Sequence, residues 1–273
     1  MDCANKKDHN LWWINMKKYV CYLKYNFKTM VRHKANFILD LFNLLLNQAI
    51  SILFLYIIAT NLPELGGWNI TELILIYGYF LLNKGTADFL TTGLYSIEGL
   101  IQQGGLDTLI VKPMSIIQQI LVSKIDLSQI VNITIGFSLI ISSIASLGIT
   151  SIFRVLLISI GFLLVSILVI FSLRLISMSI AFWTQTSFPV AISIDNISVF
   201  AKYPLNIYSI SLEKILTIIL PYAFIAYFPV ALVLGKIAVT TTISYIVFVI
   251  PVIFLLSLLI WKKGLQRYES SGH

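Results

Sequence analysis

The sequence predicts an all-α integral membrane protein with six transmembrane helices and an N-terminal amphipathic helix at the membrane interface. Hydrophobic residues make up 58% of the 273 residues and charged residues only 11%, and the mean hydropathy is +0.90. A soluble domain carries about 25% charged residues, so this chain lacks the polar surface that a water-exposed fold needs. The net charge of +7 does not indicate nucleic acid binding, because the basic residues are concentrated at the chain ends and in short loops.

Residues 1–36 are predicted to form a cytoplasmic N-terminal segment that contains an amphipathic helix from Leu11 to Arg32. Apolar residues recur there at steps of three and four, and the lysines stay off that stripe. Such a helix is suited to the membrane interface. A solvated helix docked on a partner protein would show the same pattern.

The transmembrane domain is predicted over residues 37–262, and residues 263–273 form a cytoplasmic tail. Each crossing needs roughly 20 apolar residues. Six apolar stretches meet this length, near residues 37–60, 72–95, 127–148, 155–174, 215–235 and 244–261.

Lysine and arginine positions predict the orientation, because cytoplasmic loops are enriched in them. The N-terminal segment and the tail are basic, and Lys112, Lys124, Lys202 and Lys214 are assigned to loops on the same side. The opposite side has Arg154 and Lys236. Both termini are therefore predicted to be cytoplasmic, in agreement with an even number of spans.

Two apolar segments, 116–149 and 153–183, are longer than a membrane is thick. Their cytoplasmic ends are predicted to project inwards as helical stalks. Arg154 and Arg174 are 20 residues apart, about 30 Å along a helix, so the favoured interpretation is that they extend to opposite interfaces. A role for Arg174 in a transport pathway is the alternative.

A polar patch is predicted between the first two spans. Asp40, Asn43 and Asn47 follow one face of the first span, and Lys84 and Asp88 can pair on the second. Charges at this depth face a partner or a wet cavity rather than lipid. The patch is predicted either to line a translocation path or subunit interface, or only to hold the two spans together.

The loop between the second and third spans contains a short amphipathic segment. Gly104 and Gly105 interrupt the preceding helix, Leu106, Leu109 and Ile110 form an apolar face, and Pro113 ends the segment. A short helix of this kind can dock into a groove on a partner, although an ordinary interfacial turn would look similar.

Four motifs resemble type-2 ABC exporter permeases. Gly104-Gly-Leu-Asp-Thr-Leu-Ile-Val-Lys-Pro113 is similar to a signature of that family, and three later stretches also match it: Phe200–Tyr208, Ile219–Pro229 with Leu234-Gly235, and the tail from Gly264. Ser209 departs from the pattern, since a proline often follows the tyrosine there. The four motifs occur in the family's order.

The resemblance implies an assembly of two permeases, identical or related, and two copies of an ABC ATPase in a bacterial plasma membrane. The loop would couple to the ATPase through Gly104, Gly105, Leu106, Asp107, Lys112 and Pro113. ATP and Mg²⁺ would bind the ATPase, because this sequence has no Gly-x-x-x-x-Gly-Lys-Ser/Thr phosphate loop. The cargo class would be small amphipathic molecules, drugs or peptides.

The fifth predicted span contains Pro221 and Pro229, each of which removes a backbone hydrogen bond. A kink accommodated by neighbouring helices is one interpretation. The resemblance instead implies a broken, partly re-entrant element that closes the outer exit, with Pro221, Tyr222, Phe224, Tyr227, Phe228 and Pro229 as gate residues.

Two other function classes were compared with the permease. An ion- or proton-coupled secondary transporter remains the alternative, although paired repeats would place helix breaks in both halves and the first half has none to match Pro221 and Pro229. A membrane-embedded enzyme is disfavoured because His9, His33 and His273 lie at the polar ends and no cluster of acids, bases or metal ligands is found.

Overall fold

The computed structural model describes residues 34–61 and 66–269, and the predicted interfacial helix lies outside these ranges. The described residues form helices and turns with no β-strand among them. The helices are α1 (Lys34–Asn61), α2 (Ile70–Thr91), α3 (Ile97–Gln102), α4 (Leu106–Ile110), α5 (Ile116–Ser123), α6 (Gln129–Ser146), α7 (Ile152–Ser179), α8 (Ala181–Thr184), α9 (Phe188–Ile197), α10 (Ile210–Lys214), α11 (Tyr227–Val233) and α12 (Val239–Arg267).

Within the described ranges, four helical stretches are long and apolar enough to cross a membrane: Leu41–Ile58, Gln129–Ser146, Ile152–Thr184 and Val239–Arg267. They correspond to the predicted first, third, fourth and sixth spans. The predicted second span coincides with α2, a helix of 22 residues that carries Glu72, Lys84 and Asp88. We call the end of the bundle where α2 begins (residues 66–72) the outer end, and the end where it finishes (residues 92–115) the inner end, following the predicted orientation.

Helix α2 is the centre of the bundle. It begins with a capping box, in which Asn69 and Glu72 each accept a hydrogen bond from the other's backbone N–H, at 2.9 and 3.0 Å. Its middle is buried, and Tyr77 and Tyr79 are exposed by 1% or less. Helix α6 packs closely against it, because Gly78 and Gly136 let the two backbones approach.

Helix α1 lies at the periphery, with most of its apolar side chains exposed. Its contacts with the rest of the bundle include Gln48, which bonds to side chains of α2 and α6, and Phe54, which packs edge-on against Tyr203 at 6.4 Å. The exposed apolar surface of α1 is suited to lipid or to another membrane protein.

The prediction that residues 116–149 form one long helix with an inward-projecting stalk is wrong, because the helix is interrupted between α5 and α6. Lys124 adopts an extended conformation, with φ −142° and ψ 116°. Asp126 then accepts hydrogen bonds from the N–H and hydroxyl of Ser128. This side chain competes with the helix for backbone donors, as aspartate often does. The second long segment is helical from Ile152 to Thr184, with the turn residue Ile180 between α7 and α8.

The predicted fifth span, 215–235, is not a continuous helix. It comprises a π-helical turn (Ile215–Ile219), a 3₁₀ turn (Tyr222–Phe224) and α11, with Pro221 between the first two. The breaks therefore occur where the proline and its missing N–H predict one. A single kink would not produce three separate turns.

This broken segment enters the bundle and turns back. Before it, Asn206 donates a hydrogen bond of 2.5 Å to the carbonyl of Gly66. At its finish, Lys236 pairs with Glu72 at 2.6 Å. Between them, the carbonyl of Ile225 accepts a 2.6 Å hydrogen bond from Asn83, deep in α2. Both ends of the segment therefore lie at the outer end of the bundle.

Residues 187–207, predicted to be part of an inner loop, run instead along α2. Ser187 contacts Glu98 near the inner end, and Asn206 accepts a hydrogen bond of 3.2 Å from the Trp68 indole near the outer end. Lys202, assigned to that loop by the charge distribution, lies over the rings of Tyr77 and Phe80. Hydropathy did not identify this segment because its polar residues interrupt the apolar run.

Candidate functional site

Four charged side chains form a buried cluster where α2, α7 and α9 meet. Helix α2 supplies Lys84 and Asp88, one turn apart, α7 supplies Arg174, and α9 supplies Asp195. The Lys84 ammonium lies 2.8 Å from Asp88 and 2.9 Å from Asp195. The Arg174 guanidinium bonds to Asp88 and, at 3.1 Å, to Asp195. We call these four residues the charge cluster.

The charge cluster is electrically balanced, with two cations and two carboxylates. Arg174 is the most buried member, with 4% of its side chain exposed, and Lys84 follows at 11%. Arg174 also donates to the Thr91 hydroxyl at 2.7 Å and lies 4.8 Å from the Tyr95 ring centroid. Burying such charges is tolerated only when they are paired and hydrogen-bonded. The cluster therefore fastens three helices at one point.

The favoured prediction for Arg174, extension to the membrane interface, is wrong. Its side chain turns into the bundle because two carboxylates and a hydroxyl are available there. Asp195 is absent from the predicted patch because the sequence assigns its segment to a loop. The available signal was charge balance: a second buried cation near Lys84 and Asp88 requires a second buried acid. The predicted pair of Lys84 with Asp88 is confirmed.

Glu98 fixes the start of α9 at the inner end. Its carboxylate accepts hydrogen bonds from the backbone N–H of Ser187 at 2.5 Å and of Phe188 at 2.6 Å. Helix N-termini present such unpaired donors and attract negative charge. These hydrogen bonds, chiefly the one from the Ser187 N–H, hold the pKa of Glu98 below its usual value, although partial burial acts to raise it. Helix α9 thus connects Glu98 to Asp195.

A cavity of about 230 Å³ lies beside the charge cluster. Its lining includes Lys84, Asp88 and Asp195 from the cluster, and Lys202 from the turn after α9. Apolar side chains such as Phe80 and Leu81 complete part of the wall. The cavity is therefore a mixed polar and apolar site within the described bundle.

Side-chain amides along the cavity form a directed chain of hydrogen bonds. The Tyr77 hydroxyl donates to Gln48, Gln48 donates to Asn132 at 2.9 Å, Asn132 donates to Gln129 at 2.8 Å, and Gln129 donates to Asp126 at 3.0 Å. Each amide oxygen in this chain accepts one hydrogen bond. The chain connects α1, α2 and α6 and explains how α1 is held.

Helix α1 contributes to the polar patch through a different residue from those predicted. Asn43 and Asn47 are exposed, and the Asn47 amide donates to the Asn43 carbonyl at 2.8 Å instead of facing Lys84. The Asp40 side chain lies outside the described residues. Gln48 lines the cavity in their place, because the residue after Asn47 is turned by about 100° around the helix axis. The polar stripe therefore marks one face of α1, but a different face of α1 is directed at α2.

The predicted docking loop contains the short helix α4, as expected. Gly104 precedes it with φ +68°, a conformation that other residues rarely adopt. Leu106, predicted to contact a partner, is completely buried. It packs in an inner-end cluster, so its side chain anchors the loop rather than offering a contact surface. The members of this inner cluster are Leu94, Ile97, Leu106, Ile120, Leu175, Met178, Ala191 and Trp261.

The exposed surface of this loop lies just after Leu106. Val111 is 82% exposed and Ile110 is 49% exposed, and Lys112 and Pro113 are exposed beside them. Asp107 is only partly exposed and lies close enough to Tyr268 to contribute to a raised Tyr268 pKa, after burial as the main cause. The loop thus combines a buried anchor with an unpartnered apolar tip.

The predicted gate residues lie mainly in the interior of the helix bundle. Tyr222, Phe224 and Phe228 are at most 4% exposed, and the rings of Phe224 and Phe228 stack at 4.6 Å. Tyr227 packs on Trp68 at 5.8 Å, and the Tyr222 hydroxyl donates to the Ile194 carbonyl at 3.1 Å. Pro221 and Pro229 flank these aromatic residues. The segment is therefore packed between α2, α7 and α9.

The described residues contain no group of three or more His, Cys, Asp or Glu side chains placed to hold a metal ion. A protein-family model described as ABC-2 family transporter protein matches residues 45–272. Comparison with curated proteins and with solved structures found no match. The family match covers all four elements of the site: the charge cluster, the cavity, the docking loop and the broken segment.

Proposed function

Because the chain belongs to the ABC-2 family of transporter proteins, and is thus a permease subunit expected to work with an ABC ATPase, we propose that it exports a small amphipathic molecule, drug or peptide. Two copies of the ATPase and a second permease, homologous or identical, would complete the assembly. ATP and Mg²⁺ would bind the ATPase. The complex would lie in a bacterial cell membrane with both permease termini in the cytoplasm.

The single observation that carries this proposal is the exposed tip of the docking loop. Val111 and Ile110 are apolar and exposed at the inner end. Leu106, which is buried in the inner cluster, anchors the tip. An anchored apolar projection of this kind suits a groove on a partner, and a family that depends on an ATPase supplies that partner.

We further propose that the six predicted crossings are retained, with a different fifth span. Residues 187–207 would cross beside α2, whose 22 residues extend about 33 Å. Asp195 can lie in the membrane because Lys84 and Arg174 neutralise it. Residues 210–235 would then enter from outside and return, in agreement with the broken, gate-forming element that the family resemblance implies.

The contacts of α9 suggest how ATPase movement reaches the membrane. Glu98 lies four residues before Gln102, which donates a 2.7 Å hydrogen bond to the Gln185 carbonyl just before α9. A displacement of the loop would therefore move the start of α9, and through Asp195 the charge cluster. In this proposal Lys84 and Asp88 hold the helices together, while the adjoining cavity lines part of the path or the permease interface.

Cross-linking from the loop tip tests the proposal. After Cys3 and Cys21 are replaced by serine, Val111→Cys carrying a photoactivatable maleimide is expected to cross-link to the co-expressed ATPase. The exposed Thr240→Cys, at the outer end, is the matched control and is expected to give no such product. Cross-linking from position 240 but not from position 111 would refute the proposed docking and orientation.

A further inference from the structure

The Lys202 ammonium faces the cavity without a carboxylate partner. Its Nζ lies 5.4 Å from the Phe80 ring centroid and 5.8 Å from that of Tyr77. Within residues 34–61 and 66–269, no carboxylate lies within 4.0 Å of it. Lys84, which also lines the cavity, has two such partners. Ring contacts alone compensate poorly for a partly buried cation.

The charges around the cavity therefore do not balance. Asp88 and Asp195 are already matched by Lys84 and Arg174. Lys202 adds one positive charge to a wall that has no further acid among the described residues lining it. An uncompensated charge in such a place favours a ligand of opposite sign. The excess corresponds to a single negative charge.

The hydrogen-bonding groups of the cavity favour an acceptor ligand as well. Each amide NH₂ carries two N–H donors, and Gln48 and Asn132 each use one in the directed chain. Their oxygens are already engaged, since Gln48 accepts from Tyr77 and Asn132 accepts from Gln48. Gln48 and Asn132 therefore each keep one N–H donor that the directed chain does not use, and N–H donors suit the oxygens of an anion.

The cavity volume limits the ligand that can enter. A cavity of about 230 Å³ is smaller than the roughly 300–1,000 Å³ of pockets that enclose a drug-sized ligand. It accommodates a carboxylate or phosphate group with a few carbon atoms, but not a whole drug or peptide. The remainder of a larger ligand would lie outside, against apolar helix surface.

We propose that this cavity binds the head group of a monoanionic amphipath, a carboxylate or a phosphate diester, with Lys202 as its counter-ion. The inference rests on the proposed function and deepens it by naming the charge class of the molecule at this site. The anion can come from a free amphipathic acid or from an anionic lipid such as phosphatidylglycerol. Lys202 is then the residue that selects for negative charge.

A ligand titration on the purified full-length chain tests this proposal. In neutral maltoside micelles, dodecanoate is expected to raise the thermal unfolding temperature saturably, and dodecyltrimethylammonium is not. Lys202→Met is expected to weaken the apparent affinity by about tenfold or more, the value of a lost charged hydrogen bond. Lys202→Arg should restore binding, and Lys236→Met, which removes a cation paired with Glu72 at the outer end, should not affect it.

Two lipid arms identify the source of the anion. If a lipid head group occupies the site, discs of phosphatidylglycerol should abolish the dodecanoate shift while discs of phosphatidylcholine preserve it. If the ligand is a free acid, the shift should persist in both. Equal shifts from the cationic amphipath, or unchanged binding by Lys202→Met, would overturn the proposal. Neither result depends on an ATPase, so the cross-linking test stands or fails separately.

Discussion

Replacing Arg174 with methionine is expected to lower the free energy of unfolding by about 3–5 kcal/mol, the cost of breaking a buried ion pair. The guanidinium is 4% exposed and bonds to Asp88 and Asp195. Its removal leaves two carboxylates with only Lys84 for compensation. Denaturation in mixed micelles containing an anionic detergent measures the change.

A double substitution shows whether the loss arises from charge imbalance. Arg174→Met together with Asp195→Asn removes one charge of each sign and leaves the Lys84–Asp88 pair. We expect the double variant to be more stable than Arg174→Met alone, which is a non-additive effect typical of contacting residues. Arg154→Met is the control, because Arg154 donates to the Leu232 carbonyl outside the cluster. A strictly additive cycle would show that the cluster is not a coupled unit.

Replacing Gly136 with alanine is expected to separate α2 from α6. The added Cβ would lie 2.6 Å from the backbone nitrogen of Leu82 and 2.7 Å from the Gly78 carbonyl oxygen. These are helix backbone atoms, so α2 itself would have to move. Overpacking of this kind costs about 1–3 kcal/mol or more, measured by the same denaturation experiment.

Gly161→Ala is the matched control for this contact. Gly161 also lies inside a helix, α7, but nothing lies within 4 Å of the Cβ that the substitution adds. Alanine is favoured over glycine in a helix by about 0.5–1 kcal/mol, so this variant should be equally or more stable than the parent chain. Equal effects of the two substitutions would mean that α2 and α6 do not pack through Gly136.

The sequence was informative where a segment was uniformly apolar. Helices α1, α6, α7 and α12 follow the predicted spans because length and hydropathy decide those boundaries. Pro221 likewise predicted an interruption of the fifth span, since the absence of its N–H is a local property. The family resemblance, not the proline alone, implied a broken element. Gly104 and Gly105 predicted the turn before α4 for the same local reason. Docking of this loop onto an ATPase was implied by the family resemblance and stays a prediction.

Tertiary pairing could not be predicted from these patterns. Asp195 looked like a loop residue because hydropathy counts its charge and cannot include the neutralising Arg174 from another helix. Similarly, Asn43 and Asn47 marked a polar face, while Gln48 is the residue that contacts α2. Which face of a helix is turned towards its neighbour depends on packing. The local pattern of a single sequence does not determine it.

ATP-driven transport in inside-out vesicles tests the central claim most directly. Vesicles containing the permease with its intact ATPase partner should accumulate a fluorescent amphipath when ATP is added. Vesicles in which the partner's phosphate-loop lysine is replaced should not. Transport that persists with the disabled ATPase and follows an ion gradient would contradict the account and establish a secondary transporter instead.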